Sequence, residues 1–229
     1  MLKAVLIDVD NTLLSFDGYV RESMKNGFAA FGLPPYREEM FDTFTRINNG
    51  LWKQIERGEL TLPELRKVRW NRVFAELGID FDGACFEEYF FKCLYDSAIP
   101  EPGAMELLRT LHGRYTLCVA SNGPYAQQVN RLRVGGMLPF FDHLFISEEI
   151  GAQKPSVDFF KTCIRRLSEK ETVLPEEILM IGDSLSSDMA GCPALGIRTC
   201  FYNPKGKDVP KEPKIDYVIS HLHEIESIL

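Results

Sequence analysis

The run LKAVLI near the start of the chain is apolar except for one lysine, and it leads straight into two carboxylates, Asp8 and Asp10, with Thr12 close behind. A run of this kind reads as a strand buried on both faces, as in a parallel sheet. Open α/β sheets take their ligands in a crevice outside the carboxyl ends of their strands. Asp8 and Asp10 therefore fall where such a sheet does its chemistry. One acid there is compatible with ordinary loop composition. Two acids, joined by others at the ends of later strands, point to a metal ion and a reaction.

From about residue 100 onward, strand-like runs alternate with helical ones, the pattern of a doubly wound domain. Strands are expected at Tyr115–Ala120, His143–Ser147, Ile178–Gly182, Thr199–Tyr202 and Tyr217–Ile219. Helices fit between them at Gly103–Leu111, Tyr125–Val134, Val157–Leu167 and Ser187–Leu195, with Gly196 as a helix C-terminal glycine. Residues 16–98 lack this alternation and read as helices over 19–31, 36–56, 62–77 and 84–97, two of them ended by Gly32 and Gly78. Thr61-Leu-Pro-Glu64 is a capping-box pattern with proline in the first turn. Ala98-Ile-Pro-Glu-Pro-Gly103 is the return linker, stiffened by Pro100 and Pro102. The expected fold is thus α/β, a doubly wound, Rossmann-like parallel sheet in 1–15 and 99–229. An all-helical domain, 16–98, is inserted after its first strand. An insert at that point is expected to act as a lid that excludes water and shapes a pocket.

Composition narrows the partners. The chain has 229 residues and a net charge of −7, which argues against a nucleic-acid binder but leaves room for a small anionic substrate beside local positive charge. Six cysteines (Cys85, Cys93, Cys118, Cys163, Cys192, Cys200) form no CxxC pair. They read as small buried residues in a reducing compartment rather than a disulfide frame or a zinc site. The first strand starts at residue 2, which leaves no room for a cleavable signal peptide, and no stretch approaches the roughly 18 apolar residues of a membrane span. A cytoplasmic protein without membrane partners, monomer or homodimer, is expected.

Short motifs sit at the ends of four expected strands. They are Asp8-Val-Asp10-Asn-Thr12, Ser121-Asn-Gly123, Lys154-Pro155, and Gly182-Asp183-Ser-Leu-Ser-Ser-Asp188. Asp8, Asp10, Asp183 and Asp188 would converge on one crevice. Two like charges ~4 Å apart repel by about 4 kcal/mol at an effective dielectric near 20. The site therefore calls for a cation, and clustered carboxylates without His or Cys favour Mg²⁺. Lys154 adds a fixed positive charge able to hold a phosphate oxygen and restrain a nucleophile. Ser121 offers a hydroxyl, and the Asn122 and Gly123 backbone N–H groups can reach phosphate oxygens at a helix N-terminus. Gly123 permits close approach of the backbone.

In order and position these motifs resemble those of the haloacid dehalogenase superfamily with a helical cap. The resemblance implies that Asp8 attacks phosphorus and forms an aspartyl phosphate. Asp10 would protonate the leaving alcohol and then deprotonate the hydrolytic water. Mg²⁺ would be held by Asp8, the Asp10 backbone carbonyl and Asp183. Thr12 would hydrogen-bond and orient the loop, and Asp188 would be either a ligand or a group orienting Lys154 or a metal-bound water. Superfamily dehalogenases lack an acid two residues after the nucleophile, because halide leaves without a proton. Asp10 thus points to phosphoryl chemistry. Asn11 stands where many members carry glycine.

Within the superfamily the chain looks most like the bacterial pyrimidine 5′-nucleotidases credited with clearing noncanonical nucleotides. The likeness rests on Phe16-Asp17, Asn48-Asn-Gly-Leu-Trp52, Gly58-Glu-Leu-Thr61 and Ile146-Ser-Glu-Glu-Ile150, and Asn49-Gly50 departs from the family's loop pair. A nucleotide lid should supply an aromatic surface for the base and polar groups for its edge. Phe16, Tyr19 and Trp52 are the stacking candidates, and Asn48 and Arg46 the polar ones. Phe41, Phe44, Phe74, Phe86, Phe90 and Phe91 are assigned to the bundle interior. His221 and His223 receive no role, and Walker or dinucleotide glycine loops are absent. The expected substrate is a small phosphomonoester, a nucleoside monophosphate. The alternatives are a phosphoglycolate or sugar-phosphate phosphatase, or a phosphomutase. A purely binding or regulatory module should have lost Asp8, Asp10 or Lys154, and all are present.

Overall fold

The structure, a computed structural model, describes residues 1–169 and 171–229. The chain divides into two compact units, Met1–Ser15 with Ala98–Leu229, and Phe16–Ser97. Along it, β1 (Ala4–Ile7) is followed by four helices, α1 (Phe16–Ala30), α2 (Glu38–Glu56), α3 (Leu62–Leu77) and α4 (Gly83–Asp96). Then come α5 (Ala104–Leu111), β2 (Thr116–Ser121), α6 (Tyr125–Val134), β3 (His143–Ile146) and the one-turn α7 (Ser147–Ile150). Helix α8 (Val157–Leu167), β4 (Ile178–Gly182), β5 (Arg198–Tyr202) and β6 (Tyr217–Ile219) complete the series.

The strands form one parallel sheet in the order β3-β2-β1-β4-β5-β6. The chain winds outward from β1 through β2 to β3, then returns to lay β4 on the other side of β1. That reversal between β1 and β4 is the switch point at which doubly wound sheets bind ligands. The alternation of side chains along β1 explains why it carries almost no polar residue. Val5 and Ile7 face a core built with Leu107, Leu108 and Leu111 of α5. Ala4 and Leu6 face the opposite core, built with Phe159, Phe160 and Cys163 of α8. Each fully buried Val, Leu or Ile here contributes about 1.5–3 kcal/mol relative to exposure.

The helical unit packs around aromatic rings of Phe28, Phe44, Trp70, Phe74, Phe86 and Phe90, all essentially buried. Its α3 begins at the Thr61 capping box: the Thr61 side chain accepts from the Glu64 N–H, and the Glu64 carboxylate accepts from the Thr61 N–H. The helix stops at Gly78, whose φ of 66° is the left-handed turn that glycine adopts without strain. Inside the bundle Arg69 donates to both carboxylate oxygens of Glu87, at 3.0 and 2.6 Å, and to the Asn48 carbonyl oxygen at 3.1 Å.

Three expectations need correction. The helix expected at Ser187–Leu195 is a π-helical turn over Leu185–Met189 and a short 3₁₀ turn over Pro193–Leu195. The Asp188 side chain bends back to accept from the Ser184 N–H at 3.0 Å, which widens the first turn, and Pro193 prevents a regular continuation. Phe91 is half-buried rather than interior, and its ring packs against the Arg66 guanidinium, 3.5 Å above it. Of the six free cysteines, Cys85 is exposed and Cys93 half-buried; the other four are buried. Among the described residues no helix is long and apolar enough to cross a membrane.

Candidate active site

Immediately after β1 the chain makes a tight loop. The Leu13 and Leu14 N–H groups donate to the Val9 carbonyl at 2.9 Å each, and the Asn11 N–H donates to the Leu14 carbonyl at 2.7 Å. Asn11 sits at φ 59°, a left-handed conformation that asparagine tolerates better than most residues and glycine best of all. Glycine would therefore suit the position as well. The loop turns Asp8 inward, where it is buried, and leaves the Asp10 side chain about a third exposed (34%). Thr12 is fully buried, and among the described residues its hydroxyl has no hydrogen-bond partner, so the orienting bond expected of it is not made within the protein.

Lys154 is the centre of the charge arrangement. Its ammonium, 1% exposed, donates to Asp8 Oδ1 at 2.7 Å, to Asp188 Oδ1 at 2.6 Å and to the Ala120 carbonyl. All three donor hydrogens are used. The Lys154 backbone is held just as firmly: the Asn122 side-chain amide donates to the Lys154 carbonyl at 2.8 Å, and its oxygen accepts the Lys154 N–H at 2.9 Å. Asn122 therefore joins the loop after β2 to the loop before α8. Its side chain points at Lys154 and leaves only its main chain for an anion.

Burial pushes the Asp8 carboxyl well above the usual range; Lys154 pulls it back, while Asp188, Asp10 and Asp183 push it further up. Burial alone would depress Lys154, but the Asp188 and Asp8 carboxylates together outweigh it and raise its pKa. Lys154 is thus a permanent cation, and the Asp8 carboxyl sits beside it in a crowded anionic site.

Asp183, directly after β4, and Asp188, in the widened turn, complete the cluster. One oxygen each from Asp8, Asp183 and Asp188 lies within 4.8 Å of the others. Asp188 is bound on both oxygens, to Lys154 and to the Ser184 N–H. Gly182 is required there, since a Cβ at that position would lie 2.2 Å from Asp188 Oδ2. Lys207, from the loop after β5, donates to the Asp183 carbonyl at 3.1 Å, a contact that nothing near it in sequence foretells.

Sequence reasoning also missed two residues of α6. Arg131 donates to Asp10 Oδ1 at 2.6 Å, and Gln128 donates to Asp10 Oδ2 at 2.7 Å. Gln128 also donates to the Ser121 hydroxyl at 3.0 Å, and Ser121 in turn accepts the Gly123 N–H at 3.1 Å. The close approach at Gly123 is made by this glutamine: a Cβ there would stand 2.3 Å from Gln128 Nε2. The signal for the pair lay in that glycine and in the i, i+3 spacing of two polar residues on one helix face, but such a face usually meets solvent.

The residues expected to read a base lie in the helical unit. Tyr19 is buried, its hydroxyl bonded to the Phe90 carbonyl, which removes it from the stacking candidates. Asn48 is also buried, and its carbonyl is spent on Arg69 instead of being offered as a polar edge. Arg46 is exposed and paired with Glu76. Phe16 and Trp52 are both half-buried; Phe16 lies among Tyr19, Phe44 and Phe90, and Trp52 against Leu51, Ile55 and Leu65.

Comparison with known proteins places this geometry. YfnB of Bacillus subtilis is 33% identical over 229 residues, 99% of this chain and 95% of that one. A solved structure of the same protein, described as bound to magnesium and as revealing interdomain movement, superposes with a TM-score of 0.90 at 32% identity, covering 100% of this chain and 98% of that one. The pyrimidine 5′-nucleotidase PynA of Streptococcus pneumoniae is 33% identical over 203 residues, 88% of this chain and 84% of its own. The pyrimidine 5′-nucleotidase YjjG of Escherichia coli is 28% identical over 225 residues, 98% of this chain and 96% of its own. The family model for haloacid dehalogenase-like hydrolases matches residues 2–196, and with the sheet order and the strand-end acids described above, the chain belongs to that hydrolase family.

Proposed function

We propose that the protein is a Mg²⁺-dependent phosphomonoesterase that works through a phosphorylated Asp8, and that its substrates are pyrimidine nucleoside 5′-monophosphates. The observation that carries the chemistry is the pairing of roles at the end of β1. Asp8 is held by the permanent cation Lys154 at 2.7 Å, and a second acid, Asp10, stands two residues on with its carboxylate gripped by α6. A nucleophile alone would suffice for halide displacement; an alkoxide leaving group needs the second acid.

An Asp8 oxygen attacks phosphorus and the ester P–O bond breaks, the leaving oxygen taking a proton from Asp10. Water then attacks the aspartyl phosphate, giving its proton to Asp10, and the Asp8–phosphorus bond breaks to release inorganic phosphate. Lys154, its three hydrogens held by Asp8, Asp188 and the Ala120 carbonyl, keeps Asp8 aligned and sets a fixed positive charge beside the phosphoryl group. The Ser121 hydroxyl, whose oxygen accepts the Gly123 N–H, and the Asn122 main-chain N–H bind the phosphoryl oxygens. Asp188 keeps Lys154 in place through its 2.6 Å bond.

Three carboxylate oxygens within 4.8 Å, with no His or Cys among them, fit Mg²⁺. The buried Thr12 hydroxyl, without a protein partner among the described residues, is a further polar group available to a bound ligand or its water. Asp8, Asp183 and the Asp10 main-chain carbonyl would hold the ion, with Asp188 behind them. When bound, the ion supplies positive charge to the phosphoryl oxygens and relieves the crowding of acids.

The similarity to two pyrimidine 5′-nucleotidases over most of the chain supports the substrate class. Phe16 and Trp52, the half-buried aromatics of the helical unit, are the residues left to meet a base. The test is phosphate release from UMP, dUMP, dTMP, purine monophosphates and sugar phosphates, with Mg²⁺ and with EDTA. Mg²⁺-dependent release favouring the pyrimidine nucleotides is expected. Release favouring sugar phosphates would keep the chemistry and replace the substrate class. Release from none would overturn both.

A further inference from the structure

Both oxygens of the Asp10 carboxylate are held by side chains from outside the four strand-end motifs, Gln128 and Arg131 of α6. Gln128 and Arg131 are 0% and 1% exposed, and both are one turn apart on the same face of α6. Arg131 Nη1 bridges Asp10 Oδ1 at 2.6 Å and Gln128 Oε1 at 3.1 Å. Gln128 Nε2 bridges Asp10 Oδ2 at 2.7 Å and Ser121 Oγ at 3.0 Å. Each Asp10 oxygen is thus fixed by one donor, and each keeps a second lone pair directed elsewhere. A buried guanidinium is costly unless it is paired, so the fold maintains this arrangement against an appreciable penalty. Glycine at position 123 makes room for it, because a Cβ there would displace the Gln128 amide.

We propose that Gln128 and Arg131 are positioning residues that aim the Asp10 carboxyl for proton transfer, and that Gln128 links its orientation to the phosphate-binding hydroxyl of Ser121. This rests on the phosphatase reading of the site. In the first half-reaction the clamp presents the Asp10 proton to the leaving oxygen. In the second it presents the same oxygen to the attacking water. Without the clamp, the carboxylate of a one-third-exposed side chain rotates freely, and proton transfer loses its geometry.

The test compares two leaving groups in wild type, Gln128→Met and Arg131→Lys. Gln128→Met preserves volume and removes the amide; Arg131→Lys keeps the charge and removes the fork. A nucleoside monophosphate or glycerol phosphate needs a proton on its leaving oxygen, whereas p-nitrophenyl phosphate does not. With the alkyl esters, kcat of either variant is expected to fall on the order of a hundredfold with little change in KM. With the aryl ester the first turnover should stay near wild type while later turnovers slow, giving a burst of about one equivalent of p-nitrophenolate before a slow steady state, because the aryl group leaves unaided but the aspartyl phosphate still needs a base. Variants that lose both esters in parallel, with no burst, or that keep wild-type rates on both, would overturn the proposal. If Arg131→Lys does not fold, Gln128→Met decides alone. A wild-type protein that releases phosphate from neither ester with Mg²⁺ present would overturn the phosphatase reading itself, which is a different result from active wild type with unaltered variants.

Discussion

Replacing Asp8 by asparagine should make the metal-free protein more stable while abolishing turnover. In the absence of an ion, Asp8 shares its site with acids whose oxygens lie within 4.8 Å, so at an effective dielectric near 20 the Asp183 and Asp188 charges each oppose it by about 3.5 kcal/mol. Lys154, at 2.7 Å, attracts it by about 6 kcal/mol on the same scale. The two repulsions slightly exceed the one attraction, and burial and Asp10 act in the same direction as the repulsions. Asparagine keeps the shape and an oxygen for Lys154, and Asp188 still pairs with the ammonium. A gain of about 1–2 kcal/mol follows, or roughly 3–6 °C in Tm for a protein of this size.

The pH dependence carries the sign. The folded-state pKa of Asp8 lies above its unfolded value of 3.8, so the folded protein binds the proton more tightly and the penalty is absent below that value. The penalty grows as pH rises from there through the folded pKa. The assay is thermal melting of both proteins in EDTA, by circular dichroism, from pH 4 to pH 8. The variant should melt higher at pH 7 and the gap should close toward pH 4. A variant that melts at or below wild type at pH 7, or a gap that does not vary with pH, would show that the Lys154 pair dominates and that the account of crowding is wrong.

Two further substitutions probe the buried charges from the other side. Lys154→Met leaves Asp8 and Asp188 facing each other without a cation in the interior. It should destabilise the fold by about 3–5 kcal/mol, read as a large fall in Tm, and remove activity even in the fraction that remains folded. Arg69→Met leaves buried Glu87 with the more distant Arg66, at 3.6 Å, where burial already raises the carboxyl and Arg69 is the chief group restraining it. A loss of about 3–5 kcal/mol is expected. Because the folded pKa of Glu87 then stands still further above its unfolded 4.5, the deficit should widen as pH rises from 5 to 8. Adding Glu87→Gln to that variant should recover the pH-dependent part; melts that fall equally at all pH values would refute the assignment.

The elements with local signals were legible from the residues. The apolar run at β1 reads as a strand with cover on both sides, and the positions of β4, β6, α3, α6 and α8 coincide with the expected spans residue for residue. Thr61, Pro63, Glu64 and Gly78 delimit α3 because caps and turn residues act over three or four positions of chain. The strand-end acids could be listed for the same reason, since an acid that follows a buried run must leave the sheet. The Ser187–Leu195 helix failed because the element is shaped by the Asp188 side chain turning back to Ser184 and toward Lys154, a tertiary demand that overrides propensity.

What the chain's own order determined is therefore the sheet, the inserted helices and the acids at the edge: hydrophobic period and capping chemistry are properties of neighbours in sequence. Only the tertiary structure decided how those acids are held. Lys154 meets Asp8 across 146 positions of chain, and Arg131 meets Asp10 across 121. The partners of Asn122, Gln128 and Asn48 likewise come from other elements or from a distant loop. Polar residues on a helix look alike in sequence whether they face water or a carboxylate. The difference arises only when the parallel sheet, by placing β2 and β4 on either side of β1, brings α6 and the loop before α8 to the same edge, where a buried charge must find its counter-charge.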